Sequence, residues 1–222
     1  MNITPAQRSF AGGEISSLLH NRHDLPVHGQ SLAVCKNMVV DPRGPAETRP
    51  GTTYWRQIAS NADARVITWQ VSYNQYIIFV VINALTYIYK RTAGALTNNT
   101  PATIVTPWTL AQAHDLHVVP DPVGTTFTFM HPSVAPYVAT WNGANVTGIA
   151  IGVYTAAPWT TNYPETGAIH QGRLMALRDN NFWATQPGTR TNFTVGSGTA
   201  SDSIIEEVDE NIGISWCASL KD

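Results

Sequence analysis

The chain has 222 residues, of which 43% are hydrophobic and only 13% charged, with 13 Lys and Arg against 15 Asp and Glu for a net charge of −2. Soluble domains carry roughly 25% charged residues, so Thr, Ser, Asn and Gln must hydrate much of this surface. The near-neutral balance excludes the broad basic field with which a conventional nucleic-acid binder, or a protein of anionic membranes, holds its partner.

Taken from the start, MNITPAQRSFAGGEIS lacks the apolar core and small-residue cleavage site of a secretory signal, so synthesis in a cytosol is expected. Cys35 and Cys217 are then expected as free thiols rather than a disulfide. Residues 1–60 hold five of the 13 Lys and Arg before position 50 and three of the seven His. Pro and Gly at positions 26, 29, 42, 44, 45, 50 and 51 leave room for one short helix over Glu14 to Leu19 and otherwise for turns and short strands. This segment reads as an irregular N-terminal arm that docks onto something else.

Residues 61–222 read as a β-meander domain. Arg65 to Tyr73, Gln75 to Ile82 and Leu85 to Lys90 are rich in β-branched and aromatic residues and are separated by Asn74 and by Asn83 with Ala84, which predicts a three-stranded antiparallel meander. A second meander is expected over Leu116 to Val119, Thr125 to His131 and Pro136 to Thr140. A third is expected over Ile149 to Tyr154, Gly172 to Leu177 and Asn181 to Thr185. Meanders some 40 to 50 residues apart have the spacing of propeller blades. The fold class is therefore mainly β, with antiparallel meanders resembling a partial β-propeller behind an irregular arm. Ile212 to Ser219 reads as the opening strand of a further meander, its partners coming from another chain or from further sequence. No run approaches the roughly 18 apolar residues of a membrane-spanning helix; the longest candidate, Tyr76 to Tyr89, is broken by Asn83 and Thr86. No membrane insertion is expected.

The residue types that carry chemistry do not assemble into a catalytic pattern. His20 and His23, and His114 and His117, are spaced HxxH, with His131 and His170 following. Zinc needs three or four converging ligands, and residues three apart on a strand face opposite sides, so polar turn and surface histidines are the simpler reading. There is no GxSxG elbow and neither Cys sits in a catalytic signature. Glu206, Glu207, Asp209 and Glu210 read as a solvated face rather than an acid/base pair. The glycine-bearing stretches Ala11 to Glu14 and Val195 to Thr199 lack the GK[ST] and βαβ setting of a phosphate loop. No enzyme, cofactor or metal is expected. Seven Trp and eight Tyr are consistent with core packing between sheets or with stacking on sugars.

One further pattern runs through Phe10 to Thr53. Phe10, Gly12, Gly13, Glu14, Ile15 and Ser16 form F-x-GG-E-I-S, followed by Arg22, Asp24 and Leu25. Asn37 then precedes Met38, Val39, Val40, Pro42 and Gly44, and Arg49, Pro50, Gly51 and Thr52 close it. In order and spacing this resembles the N-terminus of the tail nozzle (tail tubular, packaged-DNA stabilisation) proteins of short-tailed bacteriophages. Leu110 to Pro136 resembles that family's L-x-x-AQ-x-x-D stretch leading to a strand and H-P-S-x-x-P, and His170 to Phe193 resembles its later Q-x-RL and tryptophan-bearing strands. Family members are generally much longer, carrying a full propeller and distal domains.

The resemblance implies a structural protein of the virion tail, made in the host bacterial cytoplasm. It would assemble as a homo-oligomeric ring, implied to be a hexamer, below the portal and adaptor. There it would retain packaged double-stranded DNA and conduct it during ejection. Ring closure needs heterologous contacts; the residues expected to dock the arm on the adaptor or a neighbouring subunit are Arg22, Asp24, Arg43 and Arg49, with Glu47 beside them. A lumen must not trap phosphates, so Glu206, Glu207, Asp209 and Glu210 are expected to face the channel. The alternatives are a carbohydrate-binding β-propeller or tail-tip adhesin that uses its aromatics, and a head-closure adaptor of the same particle.

Overall fold

A computed structural model describes residues 7, 9–52, 54–55, 57–58, 63–196, 198–208 and 217. The chain divides into two compact units, Met1–Gln57 and Ile58–Asp222. In the first, β1 (Gly13–Glu14) runs parallel to β2 (Ser31–Leu32), and β3 (Met38–Val40) forms a hairpin with β4 (Ala46–Thr48). The helix expected from Glu14 is limited to a 3-10 turn at Ser17–Leu19, followed by another at Pro26–Gln30. Neither turn buries a residue, so no apolar stripe rewards a longer helix.

The second unit consists of three four-stranded antiparallel sheets, each a meander with its strands in chain order. The first contains β5 (Arg65–Ser72), β6 (Gln75–Ile82), β7 (Leu85–Thr92) and β8 (Ala95–Val105). Its hairpins turn at residue pairs 73–74, 83–84 and 93–94. Ala93 and Gly94 both take positive φ (48° and 88°), the conformation of a tight hairpin turn that follows strand twist. The fourth strand, ALTNNTPATIV, goes beyond the predicted three. Its polar residues and Pro101 hide it from a propensity reading, and both are tolerated because it is an edge strand.

Helix α1 (Leu110–Asp115) precedes the second sheet: β9 (His117–Pro120), β10 (Thr126–His131), β11 (Val134–Trp141) and β12 (Val146–Ile151). Thr109 and Gln112 close a reciprocal capping box at the start of α1. The third sheet contains β13 (Thr166–His170), β14 (Arg173–Arg178), β15 (Asn181–Ala184) and β16 (Ile204–Glu207). Here the predicted boundary is corrected: Ile149 to Ile151 pair with Tyr137 to Ala139 and so form the edge of the second sheet. The third sheet opens instead at Thr166, where TGAIH, with one large apolar residue and a glycine, gives little strand signal. The expected strand Ile212 to Ser219 lies, except for Cys217, outside the described residues.

The middle sheet is covered on both faces, and the period-2 alternation of β10 shows how. Phe127 and Phe129 enter a core with Ile67, Trp69, Ile77, Phe79 and Trp108 of the first sheet and its flank. Met130 enters a second core with Leu174, Ala176 and Trp183 of the third sheet. Rings lock each core: Phe79 lies 5.3 Å from Phe129 edge-on, and Trp159 lies 5.4 Å from Trp183 and 4.9 Å from Phe193. Trp69, Trp108, Trp159 and Trp183 are thus packing residues. The fold is mainly β and antiparallel, built from the four-stranded meander that propellers repeat; among the described residues no sheet closes into a barrel.

Candidate functional site

The pattern over Phe10 to Thr52 is spent largely on backbone geometry. The amide of Phe10 donates to the Gly44 carbonyl at 2.7 Å and that of Gly12 to Gln30 at 2.9 Å. A Cβ on Gly12 would collide with Ser31 Oγ and sit 2.9 Å from the Gln30 oxygen, and Gly44 has φ 123°; neither position admits a larger residue without strain. Glu14 Oε2 accepts from the Cys35 amide at 2.9 Å. Asn37 is left-handed (φ 56°), and its carbonyl accepts from the Arg49 amide at 2.8 Å, which closes the base of the β3–β4 hairpin.

The expected docking residues lie on this unit but do not converge into one cluster of contacts. Arg22 forms a fork with Asp24 (Nε to Oδ1 2.8 Å, Nη2 to Oδ2 2.7 Å), both half exposed or more. The Arg22 guanidinium holds the Asp24 carboxyl below its ordinary range. Arg43 pairs not with Glu47 but with Asp41, at 2.7 Å, within the β3–β4 turn. Arg49 contributes its backbone to the hairpin and leaves its side chain exposed. Two of the three guanidinium groups are therefore neutralised two residues away, and each such pair presents a local dipole rather than net charge.

In the β unit five of the six described basic side chains are turned onto the chain's own oxygens. Arg65 Nη1 donates to the carbonyls of Ala113 (3.0 Å) and His114 (2.6 Å) at the end of α1, where the helix dipole favours a cation. Lys90 donates to Ala144 O and Asn145 Oδ1. Arg173 spans the carbonyls of Thr185, Asp202 and Ala200, and Arg178 those of Pro132 and Tyr163. Arg190 donates to Gly172 O at 2.5 Å and meets the buried Asp121 at 3.3 Å, tying the β9–β10 turn to the loop after β15. Sequence reading missed these clamps. Their signal is an Arg bracketing a strand whose interior is apolar, as at Arg173 and Arg178, a position where a long side chain satisfies loop carbonyls that no ladder reaches.

The remaining candidates separate in space. Glu206 and Glu207 do not share a face: they lie on β16, whose alternation directs them to opposite sides, and Asn180 Nδ2 donates to Glu207 Oε1 at 2.6 Å. Asp209 and Glu210 lie outside the described residues. His28 Nε2 donates to the His20 carbonyl and its ring meets His23 edge-on. His114 reaches Asp63, whereas His117, which follows in β9, donates to Gly167 O. Among the described residues no three His, Cys, Asp or Glu converge as metal ligands. Cys35 and Cys217 are free thiols. The amides of Gly198 and Thr199 in the glycine-bearing loop donate to Asp202 Oδ2 at 2.7 and 2.8 Å, so a carboxylate of the chain occupies the place a phosphate would take. No described helix is long and apolar enough to cross a membrane. No family model matches the chain, and no curated protein matches it.

Proposed function

We propose that this chain is a structural component of a short-tailed bacteriophage tail, a nozzle ring beneath the portal and adaptor that retains packaged DNA and lets it pass during ejection. The observation that carries the reading is the inward use of cations. Five of the basic side chains of the β unit (Arg65, Lys90, Arg173, Arg178 and Arg190) spend their donors on the chain's own carbonyl and amide oxygens or on a carboxylate. Each phosphate contact would add affinity through counterion release, so a surface whose cations are already engaged suits a conduit better than a binder.

The N-terminal unit supports the same role from another direction. Its resemblance to nozzle proteins rests on residues that fix its backbone, as Gly12, Gly44 and Asn37 do, and this makes it a shaped surface for docking through Arg22, Asp24, Arg43 and Arg49. Heterologous contacts between copies would close the ring. Reconstitution tests the proposal: the purified chain is mixed with the portal and adaptor of the same genome and imaged by negative-stain electron microscopy. A ring of this chain seated on the adaptor supports the proposal, and failure to associate with the adaptor rejects it.

A further inference from the structure

Arg91 stands apart from the other cations of the β unit. Among the described residues its side chain makes no hydrogen bond and no ion pair, while the side chains of Arg65 and Lys90 of the same sheet are both engaged. Residues 65–105 contain Arg65, Lys90 and Arg91 but no Asp or Glu, so the first sheet offers Arg91 no carboxylate. Arg91 lines a concavity of about 340 Å³ with Tyr73, Asn74, Tyr76, Ala93 and Gly94. Sites for small molecules start at roughly 300 Å³.

The topology explains why these residues meet. Tyr73 and Asn74 form the β5–β6 turn, Ala93 and Gly94 form the β7–β8 turn, and the Ala93 amide donates to the Asn74 carbonyl at 3.2 Å, joining the two turns side by side. Tyr76 lies directly opposite Arg91 in the β6–β7 register, on the same face of the sheet. Tyr73 is 87% exposed, which is unusual for a large aromatic ring with no packing role. A residue with an exposed aromatic ring, an asparagine and an arginine whose guanidinium is unpaired among the described residues thus line one open hollow, and no aliphatic residue larger than Ala93 lines it.

We infer that this hollow binds a sugar bearing a carboxylate, the C–H face of the ring lying on tyrosine, the hydroxyls meeting Asn74 and turn backbone, and the carboxylate meeting Arg91. The polar, aromatic lining favours a saccharide over a protein segment, whose docking would call for an apolar anchor pocket. The site stands independently of the tail proposal.

Saturation-transfer NMR on the full chain tests it, with D-glucuronate, D-glucose, acetate and a tetraglutamate peptide as probes. D-glucuronate should receive saturation and bind at least roughly tenfold more tightly than D-glucose or acetate, because a hydrogen bond to a charged group contributes that much. Arg91→Gln should weaken D-glucuronate by about tenfold or more, and Tyr73→Ala, at a fully accessible turn, should also weaken it while leaving the circular dichroism spectrum unchanged. Equal binding of D-glucose, D-glucuronate binding that ignores both substitutions, or binding of the tetraglutamate peptide in place of the sugar would each overturn the inference.

Discussion

The Asn99 carboxamide pairs with the backbone of Val146 in both directions: Nδ2 donates to the Val146 carbonyl at 2.8 Å and Oδ1 accepts from the Val146 amide at 2.8 Å. Asn99 is 2% exposed and Val146 fully buried, so a side chain of β8 supplies to β12 the hydrogen bonds that a neighbouring strand would give. Replacement by Ala leaves both backbone groups of Val146 buried and unpaired. At about 1–3 kcal/mol for each orphaned group, Asn99→Ala is predicted to destabilise the β unit by about 2–6 kcal/mol in urea denaturation. A loss below about 0.5 kcal/mol, the size of an ordinary surface substitution, would contradict the pairing.

Tyr154 presents the opposite situation. Its ring packs against Trp159 and Phe193 in the second core, and its hydroxyl is buried without a partner among the described residues. Burial pushes the phenol far above its ordinary pKa. Tyr154→Phe removes the orphan and keeps the ring, so stability should stay level or rise by about 1 kcal/mol. A clear loss in the same denaturation assay would show that the hydroxyl is satisfied after all.

Gly167 of the third sheet sits tightly between its neighbouring strand and Met130 of the second sheet. A Cβ there would stand 2.5 Å from the Met175 carbonyl oxygen and 2.9 Å from Met130 Sδ, and the backbone oxygen cannot move aside as the thioether can. Gly167→Ala should therefore cost about 1–3 kcal/mol and lower the melting temperature. Met130→Ala added to it should recover little, since the contact with backbone remains.

His131 links stability to pH. Its Nδ1 accepts from the Ser133 amide at 3.1 Å across the β10–β11 turn, which requires the neutral ring. Burial lowers its pKa, with Asp115 and Glu165 opposing. A lowered histidine pKa means that the unfolded chain takes up the proton first. The stability His131 confers is thus complete above the ordinary value of about 6.5 and is lost as pH falls from there through the folded value. His131→Asn keeps an acceptor but cannot titrate. The fall in melting temperature between neutral and mildly acidic pH should be smaller in the variant than in the wild type, and an identical fall would remove His131 from the account.

The alternation of β16 sharpens the expectation for the acidic run. Because Glu206 and Glu207 point to opposite sides, only one of them can face a channel. In assembled rings, one of Glu206→Lys and Glu207→Lys should increase salt-sensitive DNA retention, while the other should leave it unchanged. No change in either, or equal change in both, would reject a channel position for this strand.

How far these features were legible in the sequence follows from what each depends on. β5, β6 and β7 are continuous β-branched and aromatic runs with turn residues between them, and their local signal matches their final state. β8 and β13 are invisible to that reading because Asn99 in one and Gly167 in the other serve inter-sheet contacts, which propensity does not see. The boundary error at Ile149 has the same origin, since an apolar run of three residues does not reveal which sheet it will join. The glycines and the asparagine of the N-terminal pattern are legible as a motif, and the structure gives their steric reason. The arginine clamps and the hollow at Arg91 could not be read, because they are defined by carbonyls and turns brought together from distant positions.

The central claim is a ring built on the adaptor of a phage tail, and mass photometry of the purified chain, alone and with the cognate portal and adaptor, tests it most directly. The account predicts a discrete multiple of the chain mass that forms on, or binds to, the portal–adaptor complex. A chain that stays monomeric and leaves the mass of that complex unchanged would contradict it.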